Sequence, residues 1–142
     1  MNKSILIICY GGGHVNIINE VLMNSNVINS LDINIITLTS AKNRINNQSN
    51  YNVKNLIDYR NLFSKDEQSK IEYYGKILIK DNHNENSVIT KQESVFYLGL
   101  SFFDLTLENG YNKAMELYNI NQRQSFFPVY SISKIIEFIS PD

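Results

Sequence analysis

Apolar positions along the chain change their period as it proceeds, and each change predicts a different element. Residues 4–9 are a short, continuous apolar run rich in isoleucine and bounded by glycine. Such a run predicts a strand buried on both faces, as in a parallel sheet. After the glycines, Val15, Ile17, Ile18, Val21 and Leu22 recur at helical spacing and predict a helix of about two to three turns. Residues 33–38 are a second apolar, β-branched run, hence a second strand. Strand, glycine turn, helix and strand make a βαβ unit, expected to be right-handed. Residues 41–52 are polar and asparagine-rich and predict a loop, and residues 53–63 fit either a short third strand or irregular structure.

The second half is helical in pattern. Ser64-Lys65-Asp66-Glu67 has the form of a capping box and predicts a helix from Lys65 to about Ile79. Residues 81–87 are a polar break. A second capping box, Thr90 to Glu93, opens a segment that should stop near Asn109-Gly110. Val95, Phe96, Leu98, Leu100, Phe102, Phe103, Leu105 and Leu107 make that helix apolar almost all round, so it is central to the core or covered by a partner. Residues 111–118 and 131–139 predict two more amphipathic helices, and Ser140-Pro141-Asp142 breaks the last. The expectation is one α/β domain over residues 1–142, a parallel sheet flanked by helices with a helix-rich second half. In that fold the next parallel strand should begin after Asp142, which suggests one half of a larger assembly. An unfinished sheet edge also invites self-association.

Length and charge narrow the function. With 142 residues the chain can bury a real core. Thirteen basic against 14 acidic side chains, net charge -1, exclude a strongly basic nucleic-acid binder. Cys9 is the sole cysteine, and no Cys/His cluster has zinc spacing, so neither a disulfide nor a metal is expected and a cytoplasmic setting fits. No apolar run approaches the roughly 20 residues of a membrane span, and residues 5–9 are too short for a signal-peptide core.

The chemistry concentrates in Tyr10-Gly11-Gly12-Gly13-His14, between the first strand and the first helix. Glycine lets backbone approach a ligand closely, and the helix start offers free N–H groups and a positive dipole end, a setting for phosphate or another oxyanion. The loop is neither a Walker motif nor G-x-G-x-x-G, and Thr37-Leu38-Thr39-Ser40 lacks the acid that would hold a ribose. No nicotinamide or flavin cofactor is expected. His14, at the first turn, is placed to take a proton from a substrate hydroxyl, and the dipole favours the neutral ring that a base requires. The alternative is a helix-entry histidine that only hydrogen-bonds backbone. Asp104, a lone acid on an apolar helix, must face something polar or a cleft. Arg123 can reach a phosphate, or is simply exposed. Tyr97 and Phe103 can stack on a sugar or lipid, or serve the core.

Residues 5–19, ILIICYGGGHVNIIN, resemble the first strand, glycine loop and helix of the GT-B glycosyltransferases, especially those with a GGH-type loop. Residues 93–142, with ESVFYLGLSFFDL, ENGYNKAMELY, RQSFFPV and the closing SPD, are similar to the N-terminal half of UDP-glycosyltransferases and UDP-GlcNAc 2-epimerase-like proteins of surface polysaccharide synthesis. The resemblance implies a Rossmann-like acceptor-side domain whose partner, a C-terminal domain or separate subunit, holds the UDP-sugar. The chain alone is then expected to be inactive. It further implies inverting transfer to a saccharide or lipid-linked acceptor, with His14 as base, Asp104 orienting it, and Gly11, Gly12, Gly13 and Arg123 binding acceptor or phosphate. A cytoplasmic location, peripheral to the inner membrane, would follow. Half of an epimerase-like enzyme, or a non-catalytic subunit with an anion-binding loop that docks a partner, are the other expectations.

Overall fold

The computed structural model describes residues 3–11, 13–24, 30–38, 40–45, 51–81, 88–126 and 128–142. Strands β1 (Lys3–Cys9), β2 (Leu31–Thr37) and β3 (Tyr51–Asn55) form one parallel sheet in the order β1-β2-β3. The register runs from Lys3↔Leu31 to Cys9↔Thr37, and from Ile33↔Tyr51 to Thr37↔Asn55. All three strands therefore finish on one edge, marked by Cys9, Thr37 and Asn55.

Side chains alternate across a strand, so each face of the sheet needs its own cover. Ile33 and Ile35 of β2 pack with Val15 and Leu22 of α1 (Gly13–Asn24). Ile36 points the other way, into a cluster with Phe63, with Ile71 of α2 (Lys65–Leu78), with Phe96 and Leu100 of α3 (Lys91–Asn109), and with Ile135 of α5 (Val129–Ile139). The chain is α/β, a three-stranded parallel sheet between helices.

β1 departs from the doubly buried strand its sequence suggests. It lies at the edge of the sheet, and Ile5 and Ile8 remain 39% and 36% exposed. The ambiguous stretch 53–63 divides: its first residues complete β3, and Leu56–Leu62 form a 3-10 helix. Within the expected loop, Ser40–Asn43 are a 3-10 turn and Tyr51 and Asn52 already belong to β3. Residues 46–50, and 82–87 of the predicted break, lie outside the described residues.

Both capping boxes form. Ser64 N–H donates to the Glu67 carboxylate at 2.7 Å and Glu67 N–H to Ser64 Oγ at 3.2 Å, with the same exchange between Thr90 and Glu93. α3 is the central helix, with residues 98–105 all buried. It ends at Gly110, whose φ of 74° suits glycine and turns the chain directly into α4 (Tyr111–Asn121). α2 and α3 touch backbone to backbone: a Cβ on Gly99 would fall on the Ile71 carbonyl, and one on Gly75 on the Val95 carbonyl.

After α5 the chain returns to the free side of β1. Asp142 N–H donates to the Ser4 carbonyl at 3.1 Å, and Ser4 N–H donates to the Asp142 carboxylate at 2.5 Å. Among the described residues no helix is long and apolar enough to cross a membrane.

Candidate functional site

The carboxyl edge of a parallel sheet is where the chain turns back and leaves an opening, and here several polar side chains converge on it. Two adjoining hollows, of about 40 and 190 Å³, share Asn55, Ile89 and Glu93. Leu38, Ser94, Tyr97 and Arg123 complete the smaller; Ser40, Lys42, Asn43 and Thr90 border the larger.

Asn55 ends β3 and is buried, so its amide needs a partner. Its Nδ2 donates to Glu93 Oε1 at 2.9 Å, while Glu93 Oε2 accepts from Thr90 N–H and Thr90 Oγ1. Glu93 is thus more than a capping residue: it ties the first turn of α3 to the end of the sheet. With both oxygens engaged, it is an anchor rather than a free base.

Tyr97 lies one helical turn further along. Burial first, and then its hydrogen bond with Tyr10, push its hydroxyl well above the usual phenol range, so it stays protonated and acts as a hydrogen-bonding group. That bond draws the residue before Gly11 against α3, placing the entrance of the glycine loop beside the smaller hollow. Arg123 reaches the same hollow from the 3-10 turn Gln122–Ser125. The turn follows an abrupt backbone change at Gln122, whose φ is 52°. The Tyr97 hydroxyl, with Tyr10 behind it, a carboxamide and a guanidinium suit a polar, hydroxyl-bearing or anionic ligand.

The remaining predicted residues are distributed otherwise. His14 is exposed in the first turn of α1, lines neither hollow, and its side chain forms no hydrogen bond among the described residues. Gly13 adopts ordinary backbone, and a Cβ there would meet nothing within 4 Å, so packing does not demand glycine. Gly11 stands at the loop entrance, and Gly12 lies outside the described residues. Asn55 is absent from the sequence expectations, and Tyr10 enters them only as the first residue of the glycine loop, with no role of its own. Tyr10 had one available signal, its position directly before the glycines; Asn55 had only its place near an uncertain strand end.

Asp104 does face something polar, the start of α5. Its Oδ2 accepts from Ser131 N–H at 2.9 Å and its Oδ1 from Ser131 Oγ at 2.6 Å, all buried. Pro128 gives α5 no side-chain cap, so Asp104 supplies one from the neighbouring helix. Both carboxyl oxygens are used there, and no bond joins Asp104 to His14 among the described residues. Among the described residues no cluster of His, Cys, Asp and Glu is placed to hold a metal.

Asp104 and Glu67 set opposite pH dependences. Burial raises the Asp104 carboxyl above its ordinary range, although bonds from Ser131 and Tyr130 partly offset it. Burial also acts to raise Glu67, but hydrogen bonds from Ser64, Tyr130 and Lys134 outweigh it and hold that carboxyl at about 2. The folded state thus favours protonated Asp104, whose contribution is complete at acid pH and is lost as pH rises through its raised pKa. Glu67 contributes above the ordinary carboxylate range and loses that contribution as pH falls toward about 2. Thermal melts across this range should show Glu67→Gln most damaging near neutrality and nearly silent in acid. Asp104→Asn should instead gain on the wild type as pH rises. Parallel pH profiles for the two variants would refute this assignment.

No family model, no curated protein and no solved structure matches the chain.

Proposed function

We propose that this chain is the Rossmann-like, acceptor-side domain of an inverting GT-B glycosyltransferase that uses a UDP-sugar. The observation that carries the reading is the joining of the β1–α1 glycine loop, through Tyr10 and Tyr97, to a carboxyl-edge hollow that also receives Arg123. A saccharide acceptor, free or lipid-linked, would place hydroxyls against Tyr10, Tyr97 and Asn55 and an anionic group against Arg123. His14, which lines neither hollow, would take the proton from an acceptor hydroxyl that extends from the hollow across the glycine loop, as that oxygen displaces the diphosphate at the anomeric carbon. The loop amides would stabilise the negative charge that develops.

The UDP moiety would belong to a second domain or a separate subunit, at the cytoplasmic face of a membrane where the acceptor is lipid-linked.

Incubating the 142-residue chain with UDP-N-acetylglucosamine and N-acetylglucosamine 1-phosphate tests this. The expected result is no turnover, with N-acetylglucosamine 1-phosphate shifting the NMR resonances of Tyr10, Tyr97 and Arg123, and Arg123→Gln weakening that binding about tenfold. Multiple turnovers by the isolated chain would overturn the proposal. So would sugar phosphate binding that ignores Arg123→Gln and leaves Tyr97 unshifted.

A further inference from the structure

A cavity much larger than the two carboxyl-edge hollows lies elsewhere in the molecule. It is a cleft of about 580 Å³ on the opposite flank of α3, between α2, the first two turns of α3 and the 3-10 helix Leu56–Leu62. Glu93, Ser94 and Tyr97 face the hollow, whereas Lys91, Gln92, Val95 and Phe96 face the cleft, as a rotation of about 100° per residue requires. The volume falls within the roughly 300–1,000 Å³ of small-molecule sites.

Its lining is divided by polarity. Ile57, Ile79, Val95 and Phe96 make an apolar wall, with Phe96 and Ile79 themselves 7% exposed and built into the core. The rim is cationic: Arg60, Lys76, Lys80 and Lys91, against the single carboxylate of Glu72. Glu72 is already shared, with Lys76 Nζ at 2.6 Å and Arg60 Nη2 at 3.4 Å. Lys80 and Lys91 form no ion pair among the described residues. They stand at the end of the α2 segment and the start of α3, so two uncompensated ammonium groups flank the apolar wall. In a chain of net charge -1 this concentration of positive charge is local, not a general property of the surface.

We propose that this cleft binds a single-chain anionic amphiphile, with the aliphatic tail against Ile57, Val95 and Phe96 and a phosphate or carboxylate head between Lys80 and Lys91. The wall presents aliphatic groups and one phenyl ring. Of the two glutamines in the lining, Gln68 already bonds the Phe63 carbonyl at 2.7 Å and Arg60 Nε at 3.2 Å, leaving Gln92 alone. This favours a hydrocarbon tail over a nucleobase needing several hydrogen-bond partners. The charged rim excludes a neutral lipid as the preferred ligand, because leaving the ammonium groups unpaired forfeits their attraction. The site uses none of the residues of the carboxyl-edge hollow and does not depend on glycosyl transfer being the activity.

Calorimetry and methyl NMR on the whole chain test it, with dodecyl phosphate below its micelle concentration, dodecan-1-ol and inorganic phosphate as probes. Dodecyl phosphate should bind one per chain, move the methyl groups of Ile57, Ile79 and Val95, and weaken as salt is added. The alcohol and the inorganic ion should each bind at least about tenfold more weakly. The exposed double variant Lys80→Glu/Lys91→Glu should melt like the wild type and lose about tenfold in affinity for dodecyl phosphate while its weak binding of the alcohol is unchanged. Equal binding of alcohol and phosphate ester, unchanged affinity in the double variant, or shifts confined to other residues would each overturn the proposal. Binding only to phosphatidylglycerol vesicles, with none to monomeric dodecyl phosphate, would do so as well.

Discussion

Replacing Gly99 by alanine is expected to destabilise the fold by about 3 kcal/mol, the upper end of overpacking costs in cores. The reason is the identity of the obstacle. The new methyl group would meet the Ile71 carbonyl, backbone of the facing helix, which has no rotamer to escape into. α2 and α3 would have to separate, and with them the contacts of Ile71, Phe96 and Leu100 in the cluster that covers one face of the sheet. The reciprocal contact, Gly75 against the Val95 carbonyl, predicts a similar loss for Gly75→Ala. For a domain of this size the melting temperature should fall by about 10 °C in each case. Gly13→Ala is the control, since a Cβ there touches nothing and should leave the melt unchanged or slightly raised. A Gly99→Ala protein that melts with the wild type would mean that the helices do not approach this closely.

Those two glycines show where the amino-acid pattern stops informing. A glycine inside an apolar helix signals close approach, yet nothing local tells that Gly75 and Gly99 approach each other's helices. Helix starts were legible because a capping box is local: donor and acceptor lie three residues apart, at Ser64 and Glu67 or Thr90 and Glu93. β3 was hardly legible because it is an edge strand with polar positions. Asn52 satisfies its amide on Asn34 of β2 at 2.9 Å, a partner 18 residues away that no periodicity reveals.

The site divides along the same line. The glycine loop announces itself through strand and helix context, and Asp104 through its isolation on an apolar helix. What Asp104 faces was not legible, because the start of α5 reaches it only when the chain folds. Asn55 with Glu93, and Tyr10 with Tyr97, are likewise long-range pairs between residues that look ordinary alone. Arg123 could be nominated by charge but not placed; the turn after α4 brings it to Tyr97.

If the chain contributes the acceptor side of a glycosyltransferase, His14→Ala should lower turnover of the assembled two-domain enzyme by about 100-fold, the lower end of general-base effects. Folding should be indifferent to the change, because the His14 side chain is exposed and makes no hydrogen bond among the described residues. Exogenous imidazole should restore part of the turnover to His14→Ala, which a structural histidine would not allow. Arg123→Gln should act differently, raising KM for an anionic acceptor while leaving kcat near normal, since its guanidinium borders the hollow without a proton to give or take. Gly13→Ala should also spare the fold yet raise KM where the acceptor must approach the loop backbone. Asp104→Asn keeps one acceptor for the first turn of α5 and should leave turnover within a few fold, because both carboxyl oxygens serve Ser131. Near-normal turnover of His14→Ala without imidazole would remove the histidine from the mechanism. The proton would then have to leave through a different group, and of those that line the hollow neither Glu93, with both oxygens hydrogen-bonded, nor Tyr97, held protonated by burial and Tyr10, is free to take it.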